Sequence, residues 1–257
     1  MFKSCHTHAG REGGRKARPL GAAPRIALTL LAAALLAFAL HQTMLPESSE
    51  GASPSLPALF DGVSGDQGGA EGRSIDWAEL PEAVVAWMEV PGTSIDEPIA
   101  QATADTPDRY LHVDALERGS YGTPYLDWEC TPESAFSIVY GHHMDDGSVF
   151  ADFARFSDRA YAEGHRDILV WTRADGEMHE LRVVAADVVD ASGERVQVTF
   201  ANDEERAARL GERISQSDLT LEEPDLSVSK VWAFATCSYQ TWNSRTVVYA
   251  VEDRRWE

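Results

Sequence analysis

From residue 75 onward the chain alternates short apolar runs with turn-forming residues. The runs recur at 95–101, 122–127, 136–140, 167–172, 180–189, 195–199, 230–236 and 245–251. Several are rich in Val, Ile, Tyr and Trp, and Gly, Pro, Asn, Asp or Ser bound them, which is the pattern of strands in series. A further run, Val84 to Val90, stops at Pro91-Gly92, a turn signal. Two segments instead carry helical spacing. Asp76 to Trp87 has an acidic start and apolar spacing, with Pro81 limiting it. Asn202 to Ile214 offers Asn202 as an N-cap, acids in the first turn, and Ala207, Leu210 and Ile214 along one stripe. Strands in series with few helices predict a mainly β fold, a closed or nearly closed antiparallel barrel with helical insertions.

The pattern upstream is different. Residues 1–25 carry Lys3, Arg11, Arg15, Lys16, Arg18 and Arg25 against Glu12 alone. An apolar run follows, Ile26 to Leu40, and no charge appears until after Pro46. The uncharged stretch 26–45 has the ~20 residues that a helix needs to cross a bilayer. Basic residues before it predict an N-inside, C-outside orientation. A cleaved signal peptide is the rival reading, since Ala37-Phe38-Ala39 resembles a small-x-small cleavage site. Both readings place the rest of the chain outside the cytoplasm. Residues 46–74 are rich in Gly, Ser, Pro and Ala and read as a flexible linker. The expected organisation is a cytoplasmic basic tail (1–25), a transmembrane signal-anchor helix (26–45), a linker (46–74) and an extracytoplasmic domain (75–257).

Composition narrows the function. The chain has 257 residues, with 42 acidic and 22 basic side chains and a net charge of −20. That acidity argues against nucleic-acid binding, which needs a basic face. Three cysteines are too few for a disulfide scaffold or a four-cysteine zinc site. No Gly-x-x-x-x-Gly-Lys or Gly-x-Gly-x-x-Gly occurs, so no nucleotide motif is present.

Three residues can build a reactive centre. A strand, Val231 to Thr236, leads into Cys237, polar residues follow, and a new strand starts near Arg245. In a hairpin, Cys237 and Arg245 become cross-strand neighbours. A guanidinium there favours thiolate and stabilises negative charge on an attacked carbonyl oxygen. The plainer reading is a buried cysteine beside a surface arginine. His142 follows the apolar run Ser137 to Tyr140, at a strand end, and is the candidate acid and base for acyl transfer. Its neighbour His143 is expected to face the other way. Two such histidines cannot easily share an ion, so no metal and no cofactor are expected. Asp145-Asp146-Gly147 reads as a turn, and Cys130, in a predicted loop 129–134, as an incidental thiol.

Taken together, these residues resemble the sortases, and within them class B. Thr236-Cys237 followed by Arg245 is similar to the family's Thr-Cys…Arg signature. Tyr140-Gly141-His142-His143-Met144-Asp145-Asp146-Gly147-Ser148-Val149-Phe150 resembles the class B segment Tyr-Gly-His-x-Met-x-x-Gly-x-x-Phe. Trp87 to Ile95 is similar to the entry strand Trp-Ile-x-Ile-Pro-Gly-Thr-x-Ile. Tyr110-Leu111-His112 and Leu126-Asp127 also match. The chain departs from the family where Thr-Leu-x-Thr-Cys reads Ala233-Phe234-Ala235-Thr236-Cys237. It departs again where class B carries a serine and an acid flanking Thr-Cys, here Ala235 and Ser238.

The resemblance implies a sortase-type closed barrel of about eight strands, with an N-terminal helix and an inserted helix before the penultimate strand. It implies a membrane-anchored cysteine transpeptidase that cleaves a C-terminal sorting signal after threonine and transfers the protein to a cell-wall amine. Cys237 would be the nucleophile, His142 the acid/base, and Arg245 the stabiliser of oxyanion and substrate. The implied partners are secreted proteins bearing the signal, a cell-wall precursor or pilin amine as acceptor, and the membrane through the N-terminal helix. A class B pilin polymerase, or a cysteine peptidase using water, are the alternative readings.

Overall fold

A computed structural model describes residues 73–116, 122–190, 196–227, 229–238 and 244–252, with Cys237 and Ser238 described in their backbone alone. The expected tail, transmembrane span and linker up to residue 72 lie outside these residues. Among the described residues no helix is long and apolar enough to cross a membrane.

Among the described residues nine strands form one sheet. They are β1 (Val84–Glu89), β2 (Asp96–Gln101), β3 (Tyr125–Leu126), β4 (Phe136–Gly141), β5 (Asp167–Thr172), β6 (Met178–Asp190), β7 (Leu219–Thr220), β8 (Val231–Ser238) and β9 (Ser244–Glu252). The order is β5-β1-β2-β3-β4-β8-β9-β6-β7, and a β5–β6 pairing closes the ring. Eight strands therefore make the barrel, as expected, and β7 adds outside β6. The barrel is not purely antiparallel: β2–β3 and β4–β8 run parallel. Parallel neighbours need a long crossover, so β4 and β8 come from distant parts of the chain. Residues 196–199 form no ladder, although Val198 is buried.

Among the described residues two helices complete the fold, α1 (Arg159–Gly164) and α2 (Asp203–Gln216), with 3-10 turns at Arg109–Leu111 and Ala151–Ser157. The start of α2 follows from its sequence. The Asn202 side chain accepts from the Glu205 N–H at 2.8 Å, and Asp203, Glu204 and Glu205 complement the dipole. Its buried stripe is Arg206, Leu210 and Ile214. The helix lies before β8, the penultimate strand.

The expected N-terminal helix over Asp76–Trp87 is absent: residues 77–80 are turns and bends, and Val84–Glu89 is a strand. Pro81 has no N–H, and its ring would clash with the carbonyl four residues back. Arg173 then takes the carbonyls that a helix would use. Its guanidinium donates to the carbonyls of Trp77 (2.9 Å), Leu80 (3.3 Å), Pro81 (2.8 Å) and Val84 (2.6 Å). β-branched Val84 and Val85 suit the strand.

The main core fills the barrel and the space beneath α2 and the 151–157 turn. Along β8 every residue from Val231 to Thr236 is buried, with bulky Trp232 and Phe234 alternating with Ala233 and Ala235. Phe153 stacks on Phe234 at 5.2 Å, and Phe150 meets Phe153 edge-on at 4.9 Å. This aromatic layer anchors the segment that follows β4, where the candidate histidine emerges.

Candidate active site

Three neighbouring strands bring the candidate residues to one end of the barrel. The parallel β4–β8 register ends at Gly141↔Thr236, so His142 and Cys237 are the next residues on adjacent strands. In the antiparallel β8–β9 ladder Cys237 lies directly opposite Arg245. The cross-strand pairing expected from the hairpin is therefore present in the backbone.

A cleft of about 460 Å³ opens at this strand end. His142, Thr236 and Arg245 line it, with Leu111, Asp127, Trp128 and Tyr140 among the other walls. Arg245 is exposed and His142 half-buried. Trp128, 37% exposed, is the one large hydrophobic residue classed as exposed among the described residues. Tyr140 donates its hydroxyl to Asp127 at 3.4 Å, and its ring lies 5.6 Å from that of Tyr125. One wall is thus aromatic and acidic, and Arg245 supplies a cation. The arrangement suits an extended peptide with apolar side chains and a polarised carbonyl.

The His142 ring is held from two sides. Nε2 lies 2.7 Å from the Leu111 carbonyl. A carbonyl can only accept, so Nε2 carries the hydrogen and Nδ1 is left to exchange a proton. Gly122, at φ +74°, packs against the ring. An added Cβ would lie 3.0 Å from His142 Cδ2 and 2.5 Å from the Tyr110 carbonyl oxygen. His143 does not line the cleft; it bridges to Val149 across the following loop. Asp145 and Asp146 sit in a turn closed by Gly147 N–H donating to the Met144 carbonyl at 3.0 Å. Among the described residues no group of His, Cys, Asp and Glu could hold a metal ion.

Cys130 is in the β3–β4 loop as expected, but it is buried rather than incidental to packing. Its sulfur accepts from the Ile138 N–H at 3.5 Å. The sequence reading missed Leu111 and Gly122 as supports of His142, because both reach it across long sequence separations. A glycine wedged between Tyr121 and Thr123 was the visible sign at Gly122.

No family model matches the chain. Among curated proteins it is similar to Sortase B of Listeria monocytogenes, 34% identical over 93 residues, which is 35% of this chain and 37% of that protein. It is also similar to Sortase B of Staphylococcus aureus, 24% identical over 177 residues, covering 67% of this chain and 71% of that one. Among solved structures, Clostridium perfringens sortase B superposes with a TM-score of 0.61 at 25% identity, over 66% of this chain and 94% of that chain. A Staphylococcus aureus sortase B–substrate complex superposes with a TM-score of 0.60 at 22% identity, over 68% and 82%. In its closed barrel, its strand-end Gly-His and Thr-Cys pairs and these matches, the chain is similar to the class B sortases.

Proposed function

We propose that this chain is a cysteine transpeptidase that cleaves a C-terminal sorting signal after threonine and passes the acyl group to an amine. The observation that supports this reading is the backbone register of β4, β8 and β9, in which His142 and Arg245, which line the cleft, are neighbours of Cys237 on adjacent strands.

The Cys237 sulfur attacks the threonine carbonyl while His142 takes the thiol proton. Arg245 stabilises the oxyanion by charge and hydrogen bonds. His142 delivers the proton to the leaving nitrogen, the C–N bond breaks, and a thioester remains on Cys237. An incoming amine then attacks the thioester. His142 takes a proton from that nitrogen and returns it to the departing sulfur, and a new amide forms. The acceptor is a cell-wall precursor amine. The proposed setting is the outer face of the cell membrane, with 26–45 as the anchor and residues 1–25 inside.

The test is a mass-spectrometric screen of the full chain against Asn-Pro-x-Thr and Leu-Pro-x-Thr peptides, with and without candidate amines. The reading expects an acyl adduct on Cys237 and an amine-dependent ligation product, both lost in Cys237→Ala. Hydrolysis alone at every amine concentration would make the protein a peptidase. Turnover that survives Cys237→Ala would remove the thioester.

A further inference from the structure

The cleft extends from the reactive strand end to a tryptophan. Tyr125 pairs with Tyr140 and Leu126 with Val139, and Asp127 N–H donates to the Ile138 carbonyl at 3.0 Å. β3 therefore runs away from the end of β4 where His142 emerges. Trp128, the next residue, falls level with Ser137. That is about five strand residues below His142, or ~16 Å at ~3.3 Å per residue. Both His142 and Trp128 line the same cleft.

Trp128 is held on a braced turn. Cys130 N–H donates to the Asp127 carbonyl at 3.1 Å, and Glu129 N–H to the Asp127 carboxylate at 3.0 Å. Gln101 of β2 donates its side-chain amide to the Cys130 carbonyl at 3.1 Å, and Ile138 N–H reaches the Cys130 sulfur at 3.5 Å. Cys130 is itself part of the main core, so the turn is anchored from below. An indole on such a turn has little conformational freedom to lose on binding. At 37% exposure it leaves apolar surface at the cleft wall. Aromatic anchors of this kind dominate the energetics of recognition surfaces.

The proposed reaction decides what passes over it. The acyl part of the substrate stays on Cys237 while one amine leaves and another enters, so the acyl part is the one that needs a cleft of its own. An extended peptide with its threonine at the level of His142 places the first residue of an Asn-Pro-x-Thr or Leu-Pro-x-Thr signal about 10 Å away, and the residue ahead of it about 13 Å away, within reach of the indole.

We propose that Trp128 is a specificity-determining residue: its ring packs against a large apolar side chain directly ahead of the four-residue motif, so that the protein reads a five-residue signal. The inference rests on the reading of Cys237 as the nucleophile that takes up a sorting signal. Asp108 and Asp127 line the same cleft, which disfavours an acidic residue at that place.

The test uses the full chain and peptides in which the residue ahead of the motif is Phe, Leu, Ala, Lys or Asp. Acylation kcat/KM is measured for the parent, Trp128→Ala, Trp128→Gln and Trp128→Tyr, beside thermal melts. The parent should favour Phe and Leu over Ala by roughly tenfold, the low end for an added apolar group in a pocket. Trp128→Ala should flatten that preference to within about threefold, with its rate on the Ala peptide near that of the parent. Trp128→Gln should flatten it as well, and answers for the case in which the alanine variant does not fold. Trp128→Tyr keeps a ring and should retain most of the preference. A parent indifferent to that residue, a parent that prefers Lys, or a preference that survives Trp128→Ala or Trp128→Gln overturns the proposal. A parent chain that acylates with no peptide overturns the functional reading instead. Calorimetric binding of the Phe and Ala peptides to the parent and to Trp128→Gln then still decides whether Trp128 meets the peptide.

Discussion

The His142 imidazole donates Nε2–H to the backbone carbonyl of Leu111 at 2.7 Å, joining the end of β4 to the 3-10 turn at Arg109–Leu111. That bond fixes the tautomer and leaves Nδ1 for proton transfer. His142→Ala should therefore lower ligation by the ~10²–10⁴-fold typical of lost acid/base catalysis. His143→Ala should cost far less, because His143 bridges to Val149 and does not line the cleft. Steady-state kinetics of the two variants decide it: an inactive His143→Ala beside an active His142→Ala reverses the roles.

Gly122 and Gly147 make a matched pair of probes. Both have positive φ, +74° and +85°. Alanine at Gly147 meets open space, so Gly147→Ala should cost about 1 kcal/mol of backbone strain and keep activity. Alanine at Gly122 meets the Tyr110 carbonyl and the His142 ring. Gly122→Ala should add a loss of at least about tenfold in kcat, since a displaced base is costly. Thermal melts beside kcat values separate the two; equal kcat in both variants would show that the contact with the ring is idle.

Arg245→Ala should cost at least the ~10²–10³-fold that follows loss of one oxyanion donor. Most of that loss should persist in Arg245→Lys, because lysine keeps the charge and loses the planar two-point fork. Acylation rates from single-turnover mixing are the measurement. A lysine variant near full rate would mean that charge alone suffices.

Burial, with Asp96 adding to it, pushes the Glu97 pKa from 4.5 up to about 8. The unfolded chain releases this proton near pH 4.5, whereas the folded chain keeps it to about pH 8. Between those values the unfolded state binds fewer protons, so this group's contribution to stability falls as pH rises, and it levels off above pH 8. Glu97→Gln should remove that slope, with a gain on the order of 3–5 kcal/mol at the alkaline end. Tm measured at mildly acidic and at alkaline pH would show it; a parallel pH profile in the variant would place the glutamate outside the core.

Cys130 is 2% exposed, and its sulfur receives the Ile138 N–H. Cys130→Ala should lower stability by about 1 kcal/mol through lost burial while keeping most activity per folded molecule. Denaturant melts and ligation rates test the two halves separately. A loss as complete as that in Cys237→Ala would assign Cys130 a part in the chemistry.

How much of this was legible in the sequence differs from element to element. The start of α2 is local chemistry, an asparagine cap followed by three acids, and it stands where the pattern placed it. The strand ends carrying His142, Cys237 and Arg245 were readable because apolar runs lead into or out of each. The segment 76–87 misled because its spacing suits a helix, while the decisive partner, Arg173, lies far along the chain and draws four carbonyls away from helical bonding. Glu97 was hidden for a related reason. Period-2 patterning assigns a charged strand residue to solvent, and only the closed barrel shows that this one lies on the buried face of β2 with Ile95 and Ile99.

The parallel contact between β4 and β8 also bears on when the protein becomes reactive. Pairing strands so distant in sequence demands closure of a large loop before any contact rewards it, which slows folding. β9 lies between β8 and β6 and carries Arg245 opposite Cys237. On the proposed roles, a partly folded chain whose strands have not yet paired has its thiol without the base and the cation beside it. The closure that pairs β4, β8 and β9 is also what brings thiol, base and cation together, so a partly folded chain is expected not to acylate itself or its neighbours.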